Sequence, residues 1–203
     1  MKTSSIHEVI GDTDIYLVDQ ILKGRYDDHY TILDAGCGTG RNMHWFLHNN
    51  ICIYGIDTNN SFITELKMDN PSLPASRLQV AKVELMPFGD NFFDHIISSA
   101  VLHFAESTEH FLHMLKEMLR VLKPNGSLFI RMASDIGIEN KVKLVKDGVY
   151  SIPDSSTRFL LTKSLLETIM SQFPLSFIEP LKTVNVNDIR CMSTLVLKKS
   201  GGR

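Results

Sequence analysis

The 203-residue chain has no apolar run approaching the roughly 20 residues that a bilayer-spanning helix needs. Its opening stretch, MKTSSIHEVIGDTD, lacks the apolar centre of a secretory leader. Its three cysteines, Cys37, Cys52 and Cys191, are widely spaced and form no C-x-x-C pair, so neither a disulfide framework nor a zinc knuckle follows. An excess of positive charge is missing too. The 21 Lys and Arg residues against 23 Asp and Glu leave a formal net charge of −2, without a basic stripe to neutralise a phosphate backbone. These absences lead to the expectation of a cytoplasmic protein that meets a small molecule, with no nucleic acid and no membrane as partner. They leave the oligomeric state open.

What is present is an ordinary globular balance, 43% hydrophobic and 22% charged, enough for one core over residues 1–203. Strand-like runs at 31–35, 51–56, 77–81, 95–99, 127–132, 176–184 and 191–197 alternate with helical patterns at 14–23, 41–48, 60–68, 107–122 and 162–172. Four of the runs are almost continuously apolar, which suits parallel strands covered on both faces. The alternation predicts an α/β, Rossmann-like, doubly wound sheet of seven strands, mostly parallel with an antiparallel last strand. The expected organisation is an N-terminal helical segment (1–26), a binding core (27–133), an insertion (134–162) and a C-terminal helix with strands (163–203). Within the insertion, 147–161 reads as a small β-hairpin around the turn PDSS. Such a hairpin would stand as a lid over the carboxyl ends of the strands, where open α/β sheets bind ligands.

The stretch TILDAGCGTGRN (31–42) places three glycines between a strand and a helix, and Asp57 closes the next strand, CIYGID. Strand, glycine loop, helix and an acid about 20 residues on form the geometry of a nucleotide-type cofactor site. The spacing is neither G-x-G-x-x-G, since Arg41 stands at the third glycine position, nor a phosphate-cradling P-loop. Asp34 at the loop entrance suits an ammonium better than a pyrophosphate. A ligand with a ribose, an amino-acid tail and no phosphate, such as S-adenosylmethionine, fits these residues best.

With LDAGCGTG, YGIDTN, VELMPFGDNFFDHIISSAVLHF and MLRVLKPNGSLFI in this order, the chain resembles the class I S-adenosylmethionine-dependent methyltransferases from about residue 31 to 130. The GRN after the loop is also similar to tellurite-resistance-type methyltransferases. The resemblance implies methyl transfer, with S-adenosyl-L-homocysteine as the product. It implies that Asp34 and the backbone of Gly36 hold the methionine end, that Gly38 allows close approach and that Asp57 binds the ribose. Ser98 and Ser99 would line the methionine side, and Lys82, Val83 and Glu84 would lie near the adenine. Lys82 stands where many members carry an Asp facing the adenine amino group. Cys37, read as a small residue beside a close-packed backbone, and Thr58 complete the expected cofactor set.

Methyl transfer from a sulfonium asks the protein mainly to align and desolvate the nucleophile. His103, just beyond the fourth strand, is the candidate general base. Arg131, charged within LFIRMA, and Arg158 on the hairpin are the candidate acceptor contacts, with Arg190 behind them. Together they suggest a small anionic or soft acceptor. The alternatives are a methyltransferase acting on protein or RNA, or a non-catalytic cofactor-binding protein. No metal is expected, because His44 and His48 at i, i+4 have no third ligand with suitable spacing. His110 and His113 read as solvent-facing residues of the long amphipathic helix.

Overall fold

The apolar runs become the inner strands of one sheet. The computed structural model describes residues 6–201, so the first five residues of the expected N-terminal segment lie outside it. Strands β1 (Thr31–Ala35), β2 (Cys52–Asp57), β3 (Leu78–Val80), β4 (Phe93–Ser99) and β5 (Leu122–Ser134) run parallel. The β-sheet is completed by β9 (Leu175–Phe177), β10 (Lys182–Val186) and β11 (Arg190–Lys199), in the order β10-β11-β5-β4-β1-β2-β3, with β9 also paired to β11. β11 is antiparallel to all three of its partners, β5, β9 and β10. Ile32, Leu33, Ile96, Ile97, Leu128 and Phe129 are fully buried, because helices cover both faces of these strands.

On one face lies α5 (Thr108–Val121), whose stripe of Phe111, Leu115 and Met118 packs with Leu33, Ile96 and Leu128. The other face takes Leu17 of α2 (Ile15–Leu22), Phe46 of α3 (His44–His48) and Ile63 of α4 (Asn60–Asp69). A short α1 (Ile6–Ile10) precedes them, and α6 (Lys163–Gln172) buries Ile169 against the α5 side. Asn59, Ser107 and Thr162 each accept a backbone N–H at the start of the following helix. Thr162→Ala should therefore lower stability by about 1 kcal/mol, read as an earlier urea midpoint with an unchanged slope. An unmoved midpoint would mean that the first turn of α6 is held by packing alone.

Four segments differ from the sequence expectation. The expected strand over 176–184 breaks into β9 and β10 around Pro180, which has no N–H for a ladder. Beside it Glu179 is drawn into ion pairs with Lys23 (2.5 Å) and Lys182 (3.2 Å), so the sheet gains an eighth strand. The expected helix over 41–48 begins only at His44, because the Asn42 side chain instead accepts the Asp14 N–H (3.0 Å). In place of the expected strand over 127–132, β5 starts at Leu122 and takes in KPNG. That run forms an irregular stretch inside β5, where the pairing to β4 shifts register and Asn125 takes a positive φ of 66°. Finally, the hairpin is a three-stranded sheet of β6 (Lys143–Lys146), β7 (Val149–Ser151) and β8 (Thr157–Phe159). Phe159 stacks on Phe111 of α5 (5.0 Å between centroids) and Val149 and Leu161 are buried, so this unit is rooted in the core. In the turn between β7 and β8, Ile152 is buried while Pro153 and Ser155 are exposed. Among the described residues no helix is long and apolar enough to cross a membrane.

Candidate active site

The ends of β1, β2, β4 and β5 build the site at the carboxyl edge of the sheet. The loop after β1 is tied to the end of β2, since the N–H groups of Gly36 and Cys37 both donate to the Ile56 carbonyl (2.8 and 2.9 Å). Gly38 has a φ of 54°, and a Cβ added there would meet nothing within 4 Å. The glycine thus supplies a left-handed backbone beneath open space, the arrangement that close approach of a ligand requires. Its N–H donates to Asp57 Oδ2 (2.9 Å), while Oδ1 accepts from Asn59 N–H (2.8 Å). Each carboxylate oxygen keeps a further lone pair for hydroxyl donors.

A cavity of about 540 Å³ opens over this loop. Of the expected cofactor residues, Gly36, Gly38, Asp57 and Thr58 line it on the loop side, and Lys82, Val83 and Glu84 on the β3 side. His110 belongs to it as well, which corrects the expectation that it faces solvent. It lies one helical turn before Met114 on α5, and both side chains reach the wall. The Glu84 carboxylate sits between Lys82 Nζ (3.7 Å) and His110 Nε2 (3.6 Å), so the Lys82 charge has an acidic partner at the expected adenine end.

Four of the expected cofactor residues do not line this cavity. Cys37 is buried against Met43 and Gly55, and burial pushes its thiol well above the usual range, as suits a packing residue. Ser98 is wholly buried, and Ser99 donates its hydroxyl to Asp14 Oδ2 (3.2 Å). The two serines turn into the protein because both faces of β4 are covered. Asp34 is 1% exposed and neither carboxylate oxygen has a hydrogen-bond partner. Burial, with a smaller push from Asp57 and an opposing pull from Arg41, raises its pKa to about 7.

A raised carboxyl pKa favours the protonated fold. Stability from Asp34 is then fully present below the ordinary carboxylate range and is lost as pH rises through about 7. The ligand-free protein should melt earlier at pH 8 than at pH 5, and Asp34→Asn should flatten that difference in a thermal scan. An unchanged pH dependence in the variant would assign it to other groups.

A second cavity, of about 280 Å³, adjoins the first across Ala100, which lines both. Here the structure brings together the three candidate acceptor residues, His103, Arg131 and Arg158, and adds Arg190 from β11 and Asp154 and Ser156 from the turn between β7 and β8. Arg131 pairs with Asp14 (Nη1 to Oδ2, 3.0 Å), and its Nε is buried without a hydrogen-bond partner. The Arg158 guanidinium lies 5.3 Å from the centre of the Phe104 ring, which is itself part of the first cavity's wall. His103 is 8% exposed, and its Nδ1 accepts the Ala133 N–H at 3.4 Å. Burial, followed by the charges of Arg158, Arg190 and Arg131, lowers its pKa to about 4. It stands neutral at pH 7 as a weak base, with the Ala133 N–H on Nδ1.

A mostly parallel α/β sheet with an open glycine loop, an acid at the end of β2 and a second pocket at its carboxyl edge is an arrangement in which open α/β folds bind ligands. Residues 33–130 match the family described as "Methyltransferase domain". An uncharacterized methyltransferase, YodH, of Bacillus subtilis is 34% identical over 114 residues, 55% of this chain and 44% of that protein. A thiol S-methyltransferase of Rattus norvegicus is 34% identical over 112 residues, 53% of this chain and 44% of its own length. A probable tRNA methyltransferase of Mus musculus is 31% identical over 104 residues, 49% of this chain and 21% of its own length. The matched segment thus spans less than half of each relative. An S-adenosylmethionine-dependent methyltransferase from Methanosarcina mazei shares the fold at a TM-score of 0.71, with 17% identity, 90% of this chain and 98% of that one. A Burkholderia thailandensis N-methyltransferase crystallised with S-adenosylhomocysteine does so at 0.65, with 17% identity, 98% of this chain and 92% of that one. Residues 33–130, just under half of the chain, thus match a methyltransferase domain, and the fold is shared with S-adenosylmethionine-dependent methyltransferases.

Proposed function

We propose that this chain methylates a small anionic acceptor, with S-adenosylmethionine in the larger cavity and the acceptor in the smaller one. The juxtaposition of the two cavities across Ala100 carries the reading. The residues present fit the cofactor: the open backbone at Gly38, the free lone pairs of Asp57 and the unpartnered carboxylate of Asp34 answer a ribose and a cationic amino-acid tail. When bound, the cofactor supplies an electrophilic methyl group. The protein aligns the acceptor, excludes water and neutralises its charge with Arg131 and Arg158.

A small acceptor agrees with the size of the second cavity and with a formal net charge of −2, which offers no general attraction to RNA. The test is transfer of labelled methyl from S-adenosylmethionine to small acids, thiols and amines, with transfer RNA and a protein extract in parallel. Label on small anions is the expected result. Label on RNA or protein alone would overturn the small-acceptor reading.

A further inference from the structure

Resting on that reading of the second cavity, we propose that the methylated atom is a carboxylate oxygen: the acceptor is a small carboxylic acid bound in its ionised form, and the product is its methyl ester. The order of strands places the positive charge beside the reacting end of the cofactor site. From β3 through β2, β1 and β4 to β5, the edge presents Glu84, Asp57, the glycine loop, Ala100 and then Arg131. The Ala100 N–H donates to the Arg131 carbonyl (2.7 Å), so Arg131 stands immediately beside the junction of the cavities. Arg158 reaches the same junction through its contact with Phe104. Arg190 is farther out, because Thr194 is the residue of β11 that pairs with Arg131, and Met192 pairs with Ala133. Two guanidinium groups thus meet the acceptor's anionic end where the new bond must form. The third marks the outer mouth.

Among the described residues that line the second cavity, the carboxylate is Asp154 and the imidazole is His103. His103 faces Arg131 from β5, Arg158 from β8 and Arg190 from β11, with Asp154 on the turn between β7 and β8. Its Nδ1 is occupied by the Ala133 N–H, which leaves Nε2–H as a donor to the ligand. Asp154 accepts both the N–H (2.9 Å) and the hydroxyl (2.6 Å) of Ser156, which hold its pKa below the usual range together with the charges of Arg190 and Arg158. A thiol or hydroxyl would bring a proton that only the Asp154 carboxylate, already bonded to Ser156, or solvent could take. An amine would enter as a cation among three arginines. A carboxylic acid, with a pKa of about 4, arrives already ionised.

The step then balances without a base. One carboxylate oxygen forms a bond to the methyl carbon, the bond from that carbon to sulfur breaks, and its electron pair goes to sulfur. The negative carboxylate and positive sulfonium become a neutral ester and a neutral thioether. No proton is released.

The experiment offers the full-length protein labelled S-adenosylmethionine with short mono- and dicarboxylic acids, and with thiols and amines of the same carbon skeletons. The expected label is volatile after mild alkali, as methanol from an ester, with no acid released in weak buffer and a kcat/KM level from about pH 6 to 9. In calorimetry on the ligand-free protein, the preferred acid should bind, and Arg158→Gln should weaken it about tenfold or more while moving cofactor affinity less than about twofold. Arg158→Lys should recover only part, since an ammonium lacks the planar fork. Alkali-stable label on a thiol or amine, with one proton released per turnover, would overturn the ester and leave the methyltransferase reading standing. Transfer to none of these acceptors by a protein that binds the cofactor would overturn both the ester and the small-acceptor reading.

Discussion

Asp57→Ala should lower affinity for S-adenosylmethionine at least about tenfold, and Gly38→Val should lower it as much or more. Two charge-assisted hydrogen bonds to ribose hydroxyls disappear with the carboxylate, each typically worth about 1.5–3 kcal/mol. Asp57 also accepts the Gly38 N–H, so its loss loosens the loop that the cofactor would approach. At Gly38 the argument is steric and conformational. The side chain would enter the open space over the loop, and a β-branched residue at a φ of 54° costs about 1–2 kcal/mol more. Gly38→Ala should fall between the two, since it keeps the strain and adds less bulk. Calorimetry gives the affinities, and a thermal scan of each ligand-free variant separates lost binding from lost folding. Unchanged affinity in both Asp57→Ala and Gly38→Val would remove the larger cavity as the cofactor site.

Arg131→Met should cut turnover about a hundredfold while changing cofactor affinity little. Arg131 lines the cavity proposed for the acceptor anion, and preorganised charge at such a point is typically worth several kcal/mol. The variant should also lose stability. Asp14, 3% exposed at its side chain, would keep only Arg41 at 3.7 Å as a charged neighbour, with the Ser99 hydroxyl and the Tyr16 N–H. Stripping one partner from such a pair costs about 3 kcal/mol. Asp14→Asn in the same background should restore much of that stability and none of the turnover, which separates the structural role from the catalytic one. Full activity in Arg131→Met would take the arginine out of the mechanism.

The sheet, its order-giving alternation and the glycine loop were legible because each rests on local pattern: continuous apolar runs, caps and glycine at a positive φ. Asp57 could be placed for the same reason, since it closes a strand, whereas the Lys82–Glu84 stretch was expected only from the family resemblance. Asp14 was not legible. Its contacts with Arg131 and Ser99 join residues more than 80 positions apart, and nothing near it in the sequence marks a buried acid. The strand β6 escaped because KLVK is exposed throughout and shows no alternation. His110 was hidden by an apolar stripe that drew attention to one face of α5, although Met114, one turn on, gave the signal that a second face is covered. The lowered pKa of His103 comes from burial first and then from three arginines on three strands. Only the fold brings them together.

The most direct measurement is a crystal structure of the protein with S-adenosylhomocysteine bound. The account predicts both ribose hydroxyls on the Asp57 carboxylate and the sulfur turned toward Ala100, facing the cavity of His103, Arg131 and Arg158. A ribose held away from Asp57, or a sulfur directed away from Ala100, would contradict it.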